Sequence, residues 1–417
     1  MVQDKFEKYK EYKKNISLFY RGYPLHNILS VEIASASYNL KKLNLKSFFN
    51  FFASRKISIP HLSKNDILYS MGSYHRKDYY DLLHYVQLQA PGEIIDLNEN
   101  RRVLKINFSN IINSLKHIFR KGKGLTFKEK IMFSASFTYL MNYIDELEKN
   151  KKPVLGAYVS FCSSHVNEAV MDLYFQGNNI PTFTLQHGLY FFFKNKTIDA
   201  ICYENIISDK LLCWGEYTKN EFIDYGIPVE KIIVAGYPSQ PKVLEKRKPS
   251  DELRILVLLS RYMFHKNNIR ILDIISSVRK KNPNIHAEIK MHPSLQITDY
   301  ECFLGDHGFS LCKSGTIKSL LEHRDYDMTI SYNSTAYYDS YMNNCVSLRF
   351  IDEDADGSIN VLDDEFYDEN SLSETIIKFS EAMCTQEFWE RVENRLKYIS
   401  GYKINNYRDA IQSSIIS

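Results

Sequence analysis

Short apolar, β-branched runs alternate with runs of helical period through most of this 417-residue chain, and that alternation leaves few folds open. In the first half, DILYSMG (66–72) and GEIIDL (92–97) read as strands, and INFSNIINSLKHIFRKG and FKEKIMFSASFTYLMNYIDELEKN as helices. PVLGAYVSF (153–161), NEAVMDLYFQGNN and IPTFTLQ then form a strand, helix, strand unit, and KLLCWG (210–215), EYTKNEFIDYG and KIIVAGYP (231–238) repeat it. A polar run containing Pro and Lys, SQPKVLEKRKPSDE (239–252), interrupts the pattern. It restarts with RILVLLS (254–260) and continues through HAEIKMH (286–292), YDMTIS (326–331), STAYYDSYMNN and CVSLRF (345–350). The last forty residues read as helical, with Trp389, Val392 and Leu396 on one face. The expected architecture is α/β: two Rossmann-like, doubly wound parallel sheets with a cleft between them. The domains are expected over residues 1–240 and 253–385, with helices over 386–417 packing back across the cleft.

Composition narrows the function classes. An apolar fraction of 44% with 25% charged residues is ordinary globular usage, and no run approaches the 18 to 20 apolar residues of a spanning helix. The start, MVQDKFEKYKEYKK, lacks the apolar segment of a secretory signal. Seven cysteines without a C-x-x-C pair argue against a disulfide framework or zinc knuckle and suit a reducing cytoplasm. Neither G-x-x-x-x-G-K-[ST], G-x-G-x-x-G nor G-x-S-x-G occurs, which removes the usual arguments for an NTPase, a dinucleotide enzyme or an esterase. The net charge of +3 is unevenly spread: residues 1–60 hold eleven Lys or Arg against four Asp or Glu, FRKGKGLTFKEK (119–130) is basic and DEDADGSINVLDDEFYDE (352–369) is acidic. Basic residues beside aromatic ones, as in KSFFNFFASRK (46–56), suit an anionic membrane surface, where each nearby cation contributes about 1 kcal/mol. They serve equally as the solvated ends of a core helix. No nucleic-acid motif accompanies the charge, so no nucleic-acid partner is expected.

Ligands of doubly wound sheets sit beyond the C-terminal ends of the strands, where the strand order reverses. Four loops there carry chemistry. SYNSTAYYD (331–339) ends a strand at Asn333 and is expected to open a helix at Ser334-Thr335, offering backbone N–H groups and hydroxyls to a phosphate; a plain N-cap is the simpler role. KMHPS (290–294) turns at Pro293 and leaves His292 at the rim, able to donate to a phosphate oxygen. Ser260 and Arg261 occupy a strand-to-helix loop where a guanidinium can clamp a diphosphate. In TFTLQHGLY (182–190), His187 is the candidate base for an acceptor hydroxyl, and Gly188 lets backbone approach a ligand. Gln186 beside it, and His165 and Glu168 after the strand at 153–161, are the candidate acceptor-binding residues. The D-x-D at Asp354-Ala355-Asp356 can hold a divalent cation through a diphosphate, but no metal site and no cofactor are expected, since helix dipole, Arg and His can neutralise a leaving phosphate.

Taken together, KMHPS followed by SYNSTAYYD in the second of two Rossmann-like domains resembles the GT-B glycosyltransferases. The His-Pro pair followed by a Ser-Thr pair is similar to the cytidine-nucleotide site of bacterial sialyltransferases and related capsule enzymes that use CMP-activated sugars. The ordered series QHG, W-G-x-Y-T, A-G-Y-P, H-P and S-x-N-S-T-x-x-x-D resembles the CDP-glycerol glycerophosphotransferases of teichoic acid synthesis. The likeness spans roughly residues 153–350; Gln186 stands where the latter enzymes usually carry Trp, and Asn333 where they carry Asp. The resemblance implies His187 as base, His292 as a leaving-group contact, and Ser334 with Thr335 as phosphate clamp. It implies an acceptor domain at 1–240, a nucleotide-donor domain at 253–385 and an inverting, metal-independent transfer from a nucleotide-sugar, CMP-linked by preference. The acceptor is lipid-linked or an oligosaccharide of capsule, O-antigen or another surface glycan, and the protein works peripherally on the inner face of the bacterial cell membrane. The alternatives are a CDP-alcohol polyol-phosphate transferase, a nucleotide-sugar epimerase and a non-catalytic glycan-binding scaffold.

Overall fold

The computed structural model describes residues 4–40, 45–72, 76–98, 102–189, 198–305, 308–312, 315–322, 326–353 and 362–416. The first sheet is built from β1 (Ile67–Met71), β2 (Glu93–Asp96), β3 (Ala157–Ser160), β4 (Thr182–Leu185), β5 (Lys210–Cys213) and β6 (Ile232–Val234), in the order β6-β5-β4-β3-β1-β2. The second uses β7 (Leu253–Leu258), β8 (Ile285–Lys290), β9 (Ser310–Leu311), β10 (Met328–Ser331), β11 (Val346–Phe350) and β12 (Glu365–Phe366), in the order β9-β8-β7-β10-β11-β12. Every pairing in both sheets is parallel. Their central strands are buried on both faces, which is why β1, β3, β4, β10 and β11 read as continuous apolar or small-residue runs rather than as alternation.

Strand order fixes where ligands can enter. In the first sheet the chain runs from β1 to β2 on one side and returns to β3 on the other. In the second, β7 is flanked by β8 and β10. The reversals therefore fall between β1 and β3 and between β7 and β10, and the loops leaving those four strands frame the crevices.

Long insertions clothe the first domain. Helix Phe127–Leu147 opens with a capping box at Thr126 and Glu129 and is buried along most of its length, packed against helix Phe108–Lys121 and the 3₁₀ segment Leu45–Phe52. At the C-terminus, helix Gln386–Ser400 buries Trp389, Val392 and Leu396 and packs on helix Glu216–Asp224 of the first domain. Gly401 ends it in the left-handed conformation. The chain then crosses Gly236, with the Tyr407 hydroxyl donating to the Gly236 carbonyl at 2.7 Å, and helix Tyr407–Ile416 packs on β3 and on helix Lys77–Gln89.

Some local expectations shift. The strand expected over 153–161 is confined to 157–160, and helix Ala336–Met342 begins one residue after Thr335, which already has helical dihedrals while Ser334 Oγ accepts from Ala336 N. Asp364 is fully buried and accepts from the hydroxyls of Tyr337 (2.5 Å) and Tyr341 (2.6 Å), and Glu365–Phe366 adds the edge strand β12. Asp354-Ala355-Asp356 lies outside the described residues.

Candidate active site

A cleft of about 1430 Å³ lies between the two sheets and is lined from both sides. The second domain contributes Ser260 and Arg261 after β7, His292, Pro293 and Ser294 after β8, and Asn333, Ser334 and Thr335 after β10. The first contributes His165 after β3 and His187 and Gly188 after β4. Ten of the residues singled out from the sequence thus meet in one cavity. The two halves come close at one point: a Cβ built on Gly188 would lie 3.9 Å from Thr335 Oγ1.

Two expected acceptor-binding residues do not reach the cleft surface. Glu168 is fully buried on helix Val166–Gly177, where its Oε1 accepts from the backbone N–H of Phe161 (2.9 Å) and Cys162 (3.2 Å). It braces the loop after β3 from behind. Burial, and then the neighbouring Cys162, push its carboxyl well above the usual range. Gln186 is also buried: its amide donates to the Gly188 carbonyl (2.9 Å) and Thr218 Oγ1 (3.1 Å), and its oxygen accepts from Trp214 N (2.7 Å). With those bonds made, Gln186 shapes the His187-Gly188 turn rather than contacting a ligand. Ser260 lines the cavity, but its hydroxyl donates to the Tyr332 carbonyl and its N–H to Asn268 Oδ1, tying the β7 and β10 loops together.

His292 is held as a neutral donor. The backbone N–H of Ser294 lies 3.1 Å from Nδ1 and can only donate, so Nδ1 is the acceptor and the ring proton sits on Nε2. Burial first, then the charges of Arg76 and Arg261, hold its pKa down at about 4. Those two arginines approach from opposite domains. Arg76 also pairs with Asp78 at 2.5 Å and stacks over the Tyr79 ring at 4.2 Å. The result is a cationic wall with a neutral N–H donor, suited to a phosphate or diphosphate.

Across Tyr79 from Arg76 sits a compact titratable cluster. The His187 ring packs against Phe161 (centroids 5.4 Å apart) and Tyr79 (5.8 Å). Cys162 lies within the reach of both His165 and His187. Burial alone raises a thiol, yet the two imidazoles outweigh it and hold Cys162 well below its ordinary value. His165, lowered by burial but pulled harder the other way by Cys162 and Glu168, is raised. Asp339 also lines the cleft, half-buried; desolvation pushes its pKa up to about 6, while the Tyr237 hydroxyl donates to it at 2.7 Å across the domain boundary.

Arg76, Asp78, Tyr79 and Cys162 escaped the sequence reading. Applying the reversal rule to β1 as well as to the later strands points to Arg76, and Cys162-Ser163-Ser164-His165 carries its own C-x-x-H spacing at the start of a helix. Among the described residues, no group of three or more His, Cys, Asp or Glu side chains is arranged to hold a metal ion.

No protein-family model matches the sequence, and no curated protein matches it. Solved structures share the fold. UDP-GlcNAc 2-epimerase from Neisseria meningitidis, bound to UDP-GlcNAc, superposes with a TM-score of 0.51 at 14% identity, over 84% of this chain and 99% of that one. Trehalose-6-phosphate synthase OtsA aligns over 85% and 99% with a TM-score of 0.49 at 9% identity, and S. aureus TarM over 66% and 58% with 0.44 at 12%. The two-domain Rossmann-like arrangement is the GT-B fold.

Proposed function

We propose that the protein is a glycosyltransferase that moves a sugar from a nucleotide-activated donor to a hydroxyl of a lipid-linked or oligosaccharide acceptor in bacterial surface-glycan synthesis. It works peripherally at the inner face of the cell membrane. The observation that carries this reading is the approach of the His187-Gly188 turn to Thr335 in a cleft that Arg76 of the first domain and Arg261 and His292 of the second also line. In the proposed mechanism, the donor phosphates lie against Ser334, Thr335, the His292 Nε2–H and Arg261. His187 accepts the proton of the attacking hydroxyl, and a single displacement inverts the anomeric centre. The positive wall stabilises charge as it develops on the leaving phosphate, so no metal is needed. A CMP-linked donor is favoured by the likeness of the His292-Pro293 and Ser334-Thr335 pairs to cytidine sites.

A nucleotide-sugar epimerase is the second reading, favoured by the fold shared with an enzyme whose structure holds UDP-GlcNAc. Thermal shifts with CMP, CDP, UDP and GDP separate the donors, since a ligand at 100 times its Kd adds about 2.7 kcal/mol. Product analysis then separates a glycosidic bond from a phosphodiester or an isomerised free sugar. Stabilisation by a nucleotide, lost in Arg261→Ala, is the expected result; silence from all four nucleotides sinks the proposal in favour of a scaffold.

A further inference from the structure

Helix Phe108–Lys121 is built inside out. Its face towards the protein carries Asn110, Ser114 and Ile118, all buried. Asn110 donates to Asn142 Oδ1 (3.0 Å) and Asp145 Oδ2 (3.1 Å), and the Ser114 hydroxyl bonds that of Thr138 at 2.6 Å. Apart from Ile118, the largest apolar side chains point the other way. Phe108, Ile112, Leu115 and Phe119 follow one another at spacings of four, three and four residues and form a single stripe. Phe108 is 72% exposed, Ile112 48% and Phe119 40%. A surface helix of a water-soluble fold has the reverse polarity, so among the described residues this stripe lacks an apolar partner.

The stripe continues beyond the helix. Leu104 and Ile106 precede it in extended chain and are 81% and 52% exposed, while Lys105 between them turns inward to Glu146 at 2.7 Å. Phe127 is exposed and rests edge-on against Phe119, with ring centroids 5.7 Å apart. Phe48 and Phe49, also exposed, lie on the 3₁₀ segment Leu45–Phe52, which joins the same surface where Lys105 N donates to the Phe52 carbonyl at 2.9 Å. Around this apolar surface the charge is predominantly positive. Residues 102–130 hold eight Lys or Arg and one acid, Glu129, and Arg102, Lys116, Arg120, Lys121, Lys123 and Lys128 are exposed.

We propose that this face inserts into the interfacial layer of an anionic phospholipid bilayer, with the helix lying in the membrane plane. A helix of 14 residues is about 21 Å long, suited to lying on a bilayer and too short to cross it. Aromatic and aliphatic side chains enter the acyl boundary, and the flanking lysines and arginines extend to the headgroups. Charge decides between occupants: a two-fold contact with a second copy sets one cationic rim against the other, whereas anionic lipid complements the stripe and the rim together. Helix Ser30–Ser37, tied to helix Phe127–Leu147 where the Ser136 hydroxyl donates to Glu32 at 2.9 Å, lines the cleft with Val31 and Ser35, so membrane contact and acceptor entry share one domain. The inference rests on the peripheral-membrane part of the proposed function and not on its chemistry.

The test is co-sedimentation of the full chain with vesicles of phosphatidylcholine alone or containing about one-third phosphatidylglycerol. Binding to the anionic vesicles is expected, weakened about tenfold or more in pure phosphatidylcholine and in the Phe108→Ser/Ile112→Ser/Phe119→Ser variant. A Phe119→Trp variant supplies a reading that does not depend on the triple variant folding: its emission is expected to shift to the blue when anionic vesicles are added. Any of three results overturns the proposal: no partition of the wild type, an emission unmoved by vesicles, or a concentration-dependent dimer abolished by the same three substitutions. Nucleotide thermal shifts run on the same preparations keep failure here distinct from failure of the transferase reading.

Discussion

Replacing Asp339 by Asn tests the electrostatics of the domain interface directly. The carboxyl is half-buried at the cleft wall, desolvation raises its pKa from 3.8 to about 6, and the Tyr237 hydroxyl donates to it. Because the native state binds this proton more tightly than the unfolded chain, unfolding releases a proton between those two values, and this group's contribution to stability falls as pH rises. The linkage relation gives a cost of about 1.6 kcal/mol at pH 5, rising to about 3 kcal/mol at pH 8. Asparagine keeps an oxygen to accept from Tyr237 and has no proton to lose. The variant is therefore expected to gain stability relative to wild type, and the gain should grow by about 1.4 kcal/mol between pH 5 and pH 8. Denaturant unfolding of both proteins at several pH values in that range, followed by tryptophan fluorescence, measures the difference. Trp214 lies 4.7 Å from the Tyr237 ring and reports on this interface. A difference that does not vary with pH, or that shrinks as pH rises, refutes the reasoning; the latter means that the ionised carboxylate is what the interface uses.

Two further outcomes follow from the cleft and from the C-terminal crossing. Cys162, lowered by the imidazoles of His165 and His187, is expected to be carboxamidomethylated by iodoacetamide at pH 6 about tenfold faster than in a His165→Ala variant, as mapped by peptide mass; equal rates in the two proteins contradict the lowering of Cys162 by His165. Gly236 has φ +99°, and an added Cβ would lie 1.9 Å from the Ile404 carbonyl oxygen, so Gly236→Ala is expected to cost about 2 to 4 kcal/mol by displacing the crossing segment. A melting temperature equal to that of wild type rules that contact out as a constraint.

Most of the sheet was legible because strand and helix periods are local. The runs ending at Ser160, Leu185, Cys213, Leu258, Lys290 and Ser331 announced themselves by apolar content bounded by polar or Gly-containing loops, and chemistry at their C-terminal ends followed from a rule about parallel sheets. The short strands Ser310–Leu311 and Glu365–Phe366 carry too few residues to show a period, and the burial of Asp364 is not legible because its tyrosine partners are more than twenty residues away. Glu168 and Gln186 were chosen as polar residues near strand ends. Only the packing of helix Val166–Gly177 beneath the β3 loop, and of Trp214 and Thr218 against the β4 turn, shows them facing inward.

The order of residues alone therefore determined the two-sheet architecture and placed ten candidate residues at strand ends, since backbone preference and hydrophobic period depend on near neighbours. Tertiary structure decided the rest. Arg76 meets His292 only because β1 lies beside β3 and the two domains face each other. Asp339 acquires its raised pKa only through desolvation at the domain boundary, against the opposing pull of the Tyr237 hydroxyl 102 residues away, and the apolar face of helix Phe108–Lys121 stands out only once its polar face is seen to be the buried one. Burial and electrostatics are sums over neighbours in space, and the chain brings those neighbours together only by folding.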